Sequence, residues 1–162
     1  MKKRLILGIG NLDRQDDGVA WHILVALAAQ LKQQVPASPE EDFEEANPQL
    51  LFVLQLTPDL AEMIAGYDAV CFVDAHTSEI QAELQKLELE PKYQRSPFTH
   101  HLTPETCLAL SESLYHSVPQ SILVSVKGHR FDFSSQLSPQ TAKLAVEATN
   151  VILNWVTVNK DS

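Results

Sequence analysis

Three stretches of the chain concentrate side chains able to hold a cation or move a proton. Asp16 and Asp17 stand side by side ahead of Gly18. Asp74 closes the apolar run from Asp68 to Asp74 and is followed by Ala75 and His76. His100 and His101 precede Leu102-Thr103-Pro104. Carboxylate and imidazole donors together suit a borderline divalent ion such as nickel or zinc. Each group also has a plainer role. Adjacent acidic residues before a helix can cap its free N–H groups and oppose the positive end of its dipole. A carboxylate that ends a strand can tie down loop amides, and histidines before a helix are often surface residues. Position alone leaves both roles open.

Other chemistries find less support. Gly8-Ile9-Gly10 begins like a dinucleotide fingerprint, but the third glycine of that pattern falls on Asp13. Asp16 and Asp17 then lie where a pyrophosphate would sit, so an anion there is electrostatically disfavoured. No G-x-S-x-G elbow is present. Cys71 lies in an apolar run and Cys107 in a helical one, so both read as packed thiols rather than nucleophiles. Of the other histidines, His22 lies inside a helix and His116 ends one. His129 follows the last strand and can border the same edge as Asp74, and His76 is near enough to support Asp74 from behind.

These groups need elements to position them. Arg4 to Ile9 is a short apolar run closed by glycine, as a buried parallel strand would be. From Gly18 to about Gln33 the period becomes helical: Val19, Ala20, Ile23, Leu24, Leu27, Ala28 and Leu31 share a face, and Trp21 falls off it. Asp16 and Asp17 would cap this helix. Pro36 to Pro48 is acidic and proline-rich and reads as an exposed loop. Leu50 to Leu56 predicts a second strand, and Thr57-Pro58-Asp59 opens a short helix with Pro58 as its first residue. Asp68 to Asp74 predicts a third strand and Glu83 to Glu90 an edge strand. A loop from Pro91 to His101, a helix from about Thr103 to His116, a strand at Ser121 to Val126 and a long helix opened by Ser138-Pro139 complete the pattern. Alternating strands and helices imply an α/β three-layer sandwich with a mostly parallel sheet, one domain over residues 1–162. Ligands gather at the carboxyl ends of such strands. That edge is where Asp17, Asp74 and the loop before His101 fall.

Composition narrows the function further. The 162 residues are 44% hydrophobic, enough for one sizeable core. With 12 Lys and Arg against 21 Asp and Glu the formal charge is −9, which argues against general binding to a nucleic-acid backbone. No apolar run reaches the roughly 20 residues of a membrane span. The stretch after Met1-Lys2-Lys3-Arg4 is too short and broken for a signal peptide. Two cysteines are too few for a disulfide framework or a zinc ribbon. A soluble, cytoplasmic protein is expected.

Taken in order, Leu5 to Asn11, Asp16-Asp17-Gly18-Val19-Ala20, Phe72-Val73-Asp74-Ala75 and Thr99-His100-His101-Leu102-Thr103-Pro104 resemble the hydrogenase maturation protease family. The resemblance continues through Phe131-Asp132-Phe133 and Leu137-Ser138-Pro139. It implies a nickel-dependent, aspartic-type endopeptidase that removes a C-terminal extension from the precursor of the NiFe hydrogenase large subunit after nickel insertion. By motif position it makes Asp17, Asp74 and His100 the metal ligands, with His101 the alternative to His100. Asp16 and His76 become supporting residues or alternative ligands. The nickel would arrive with the loaded precursor, the free protein would be a monomer, and neither nucleic acid nor membrane would be a partner. A non-catalytic, nickel-dependent checkpoint or chaperone for the same precursor is the competing reading.

Two departures from the family pattern stand out. Gln55-Leu56-Thr57-Pro58 replaces a glycine-rich turn common among relatives. In Leu12-Asp13-Arg14-Gln15, charged residues replace the usual apolar or small ones. The first ligand position is often Glu in the family, so Asp17 is one methylene shorter.

Overall fold

The computed structural model describes residues 1–94 and 102–158. In chain order the elements are β1 (Arg4–Ile9), a 3-10 turn (Gln15–Gly18), α1 (Val19–Gln30), β2 (Gln49–Val53), α2 (Leu60–Ala65), β3 (Ala69–His76), β4 (Leu84–Leu89), α3 (Pro104–Tyr115), β5 (Gln120–Lys127) and α4 (Pro139–Val158). The sheet order is β2-β1-β3-β5-β4. Its first four strands run parallel, and β4 pairs antiparallel with β5 at the edge. The expected α/β sandwich is therefore the observed one.

Strand alternation sorts the core into two layers. Ile6, Cys71, Val73, Val124 and Val126 pack under α1 and α4. Leu5, Leu7, Val70 and Phe72 pack on the other face with Leu60 and Ile64 of α2 and Cys107 and Leu108 of α3. All six residues of β1 are buried, which is why they read as an unbroken apolar run. Both thiols are buried and free, and burial pushes Cys71 well above and Cys107 up to about 11, so both are inert as expected.

Several boundaries differ from the sequence pattern for identifiable reasons. α1 stops at Gln30, where Lys32 adopts a left-handed conformation (φ 59°) and the Gln33 amide donates to the Ala28 carbonyl. This closing motif usually carries glycine, so lysine gave no stop signal. Trp21 is buried rather than off the core face: its ring meets Phe43 at 5.4 Å and Phe52 at 5.6 Å. Phe43 comes from the acidic loop, which is thus anchored by one aromatic. β2 ends at Val53, and Leu56 folds back into the α2/α3 layer. Pro58 lies in a turn ahead of α2 rather than in its first position, with the Leu60 amide donating to the Thr57 carbonyl.

Candidate functional site

A cleft of about 490 Å³ opens where the sheet's carboxyl edge meets the start of α3. Asp17, Asn11 and Arg14 line it from the β1–α1 connection, and Asp74 and Ala75 from the end of β3. Leu54, Gln55 and Leu56 after β2, with Leu102 and Pro104 at α3, supply the remaining wall.

Asp17 reaches the cleft because the chain doubles back tightly. The Gly10 amide donates to the Val53 carbonyl, fixing the end of β1 (N···O 3.1 Å). A Cβ at residue 10 would collide with the Asp17 backbone carbonyl, so glycine is what lets the turn pass this closely. The Asn11 amide then donates to Asp17 Oδ2 at 2.8 Å. The glycines of the would-be phosphate loop thus serve packing, Gly10 against the Asp17 backbone and Gly8 against the Ala20 and Leu24 side chains of α1.

Asp74 follows Val70 and Phe72 on the α2/α3 face of β3, beyond the last covered position. The Ala75 amide donates to its Oδ1 at 2.7 Å. Burial pushes its pKa up to about 7; the Ala75 N–H opposes that shift and the negative charge of Asp17 adds to it. The two carboxylates therefore feel one another across the cleft. Each spends one oxygen on a backbone amide, and its other oxygen makes no hydrogen bond among the described residues. An oriented oxygen on each of two like-charged groups is a donor pair that a divalent cation would satisfy.

The other anticipated residues are placed differently. His100 and His101 lie outside the described residues, and among the described residues no three His, Cys, Asp or Glu side chains gather as a metal-binding group. Asp16 neither caps α1 nor lines the cleft; α1 has no side-chain cap at all. It is fully buried and accepts five hydrogen bonds: from the amides of His129, Arg130 and Ser138 and the hydroxyls of Ser138 and Thr141. Burial opposes its ionisation, but the bonds from Ser138, Arg130 and His129 outweigh that and lower its pKa. Asp16 thus ties the β1–α1 turn to the start of α4, where the Ser138 hydroxyl also accepts from the Thr141 amide. His76 does not support Asp74. Its Nε2 faces the Ala82 carbonyl of the β3–β4 connection at 2.6 Å and its Nδ1 the Ser125 hydroxyl of β5 at 2.7 Å, so both ring nitrogens are engaged away from Asp74. His129 pairs with Glu83 at 3.0 Å and does not line the cleft.

Sequence reasoning passed over Asn11 as the group that orients Asp17, and Leu54 to Leu56 as cleft wall. The six-residue separation of Asn11 and Asp17 carries no pattern that announces an amide-to-carboxylate bond.

The fold and site together define an α/β sandwich with a pair of carboxylates in a cleft at the carboxyl edge of its sheet. That fold is the one seen in hydrogenase maturation proteases. The solution structure of an endopeptidase from Escherichia coli superposes with a TM-score of 0.65 at 20% identity, over 95% of this chain and 91% of that one. The hydrogenase maturating endopeptidase HybD from E. coli gives 0.63 at 19% identity, covering 99% of each chain. A NiFe hydrogenase maturation protease, HycI from Thermococcus kodakarensis KOD1, gives 0.64 at 18% identity, over 93% of this chain and 90% of that one. No protein-family model matches the chain, and no curated protein matches it. The likeness is one of fold.

Proposed function

We propose that this protein is a hydrogenase maturation endopeptidase that trims the C-terminal extension of a NiFe hydrogenase large-subunit precursor carrying nickel. One observation carries the reading: Asp17 from the β1–α1 connection and Asp74 from the end of β3 line one cleft, and among the described residues each has a carboxylate oxygen that makes no hydrogen bond. Near-complete overlap with structures described as hydrogenase maturation proteases supports it.

The donor set fits a nickel ion that belongs to the substrate. Two carboxylate oxygens, with an imidazole as third donor as the family resemblance implies for His100 or His101, would make a mixed oxygen and nitrogen site suited to a borderline divalent ion. Such an ion supplies Lewis acidity, for a carbonyl or for a water. The protein's own part is to hold the donors. The Asn11 amide fixes Asp17, the Ala75 amide fixes Asp74, and Gly10 lets the β1–α1 turn pack closely on the Asp17 backbone. A carboxyl held near neutrality, as Asp74 is, also exchanges its proton readily at physiological pH. With no cation present, burial and the Asp17 charge favour the protonated form of that carboxyl, and a cation bound between the two would favour the ionised form. The same reading places the protein in the cytoplasm. It is in keeping with two free cysteines and with the absence, among the described residues, of any helix long and apolar enough to cross a membrane.

The test is to incubate the protein with nickel-loaded and nickel-free precursor and weigh the products. Loss of the extension only from the loaded form is expected. Nickel-dependent binding with no change of mass would instead make the protein a checkpoint that does not cut.

A further inference from the structure

Among its described lining residues the cleft contains one cation, Arg14. Arg14 stands in the loop where this chain departs from the family pattern, and its backbone is held firmly. Its amide donates to the Asn11 carbonyl at 3.1 Å, its carbonyl accepts from the Asp17 amide at 3.1 Å, and it bridges to Ser134. The next residue, Gln15, donates its amide to the Ser134 carbonyl at 2.8 Å. The side chain, by contrast, is exposed, and among the described residues its guanidinium makes no hydrogen bond or ion pair. It pairs with neither Asp17 nor Asp74, so it is not there to neutralise them.

Arg14 thus lines the cleft on a fixed backbone, with a guanidinium that has no partner among the described residues and is free to meet one on a ligand. The fork of five N–H donors matches a carboxylate through two parallel bonds. The remaining wall is largely apolar, from Leu54, Leu56, Leu102 and Pro104. A peptide lying here meets carboxylates that take a cation, apolar surface, and one group that takes an anion. We infer that Arg14 is a specificity-determining residue, receiving a carboxylate of the precursor segment bound in the cleft. The inference rests on the peptidase reading and narrows its substrate: the segment near the cleaved bond carries an acidic side chain, or the extension presents its terminal carboxylate there.

Cleavage kinetics on the nickel-loaded precursor test this with Arg14→Ala, Arg14→Lys and Arg14→Glu. Losing one charge-assisted contact should raise KM roughly tenfold for Arg14→Ala, with the loss carried by KM rather than kcat. Arg14→Lys, which keeps the charge but not the fork, should fall between, and Arg14→Glu should be worst. Unfolding midpoints should stay at the wild-type value, because among the described residues the side chain makes no hydrogen bond or ion pair. Two precursor series separate the sources: one with each acidic side chain of the extension converted to its amide, the other with the terminal carboxylate amidated. One of them should raise KM for the wild type and leave it unchanged for Arg14→Ala. Equal KM for the wild type and Arg14→Glu, or a response to neither series, overturns the inference. If wild-type protein leaves the loaded precursor uncut, the peptidase reading falls, and Arg14 is judged on precursor Kd: a weaker Kd for Arg14→Glu sustains its role and an equal one removes it.

Discussion

The Ser138 hydroxyl donates a 2.6 Å hydrogen bond to Asp16 across 122 residues of sequence, joining the turn that presents Asp17 to the first residue ahead of α4. Asp16 sits one position from a cleft carboxylate yet faces the opposite way. It is a structural anchor, whereas Asp17 lines the cleft.

Asp16→Asn should therefore be a stability mutation. An amide cannot accept from all the donors that now converge on Asp16, and its NH2 group would face some of them. Leaving such buried donors unmatched costs about 3 kcal/mol or more. A lower urea midpoint at neutral pH is expected. Because the folded pKa is lowered, the contribution of Asp16 is present above its unfolded value of 3.8 and disappears as pH falls through the folded pKa. The gap between wild type and variant should therefore close in acid.

Asp17→Asn should do the reverse. The asparagine oxygen can still accept from the Asn11 amide, so stability should change by no more than about 0.5–1 kcal/mol. Cleavage of the loaded precursor should be abolished, since a neutral amide is a poor ligand for a divalent ion. Comparing unfolding midpoints with product mass for the two neighbouring variants measures the division of labour. Full processing by Asp17→Asn would remove the carboxylate from the site.

Gly10→Ala probes the turn that carries Asp17. Its methyl group would collide with the Asp17 carbonyl, which is backbone and cannot swing aside. Forcing it in should cost about 1–3 kcal/mol and displace the carboxylate. Activity should be lost even at temperatures where circular dichroism reports a folded protein. A fully active, equally stable Gly10→Ala would show that the turn is not closely packed.

Much of this fold was legible because β1 and most of β3 are buried throughout and α3 and α4 open with recognisable signals. β1 matched its apolar run residue for residue, and Thr103-Pro104 opens α3, with the Thr103 hydroxyl accepting from the Thr106 amide. What local pattern could not supply were long-range partners. Trp21 is buried by Phe43 and Phe52, and Asp16 by Ser138 and Thr141, none of them near it in sequence. The same limit applies to the site. Asp74 was readable from the end of its strand, but nothing local distinguished Asp16 from Asp17, because the distinction depends on which loop packs behind them. His76 had the right spacing to assist Asp74, yet Ser125 and the Ala82 carbonyl claim both its nitrogens.

The pH dependence of the metal-free protein offers a last check on the carboxylate pair. Burial, with the charge of Asp17 adding to it, raises the Asp74 carboxyl from 3.8 to about 7 in the folded state. A group whose folded pKa is raised stabilises the fold below its unfolded pKa, and that stability is lost as pH climbs through the folded value. Asp74 should therefore weaken the metal-free protein progressively between about pH 4 and pH 7, with the full penalty above that. Asp74→Asn keeps the shape and cannot ionise, so it should be more stable than wild type at pH 8 and close to it at pH 4 to 5. Thermal unfolding across that range, with chelator present, reads the difference directly. Asp17→Asn should reproduce part of the effect by removing the neighbouring charge. If neither variant gains stability at pH 8, the two carboxylates are not near one another in a partly dehydrated cleft, and the paired site is lost with them.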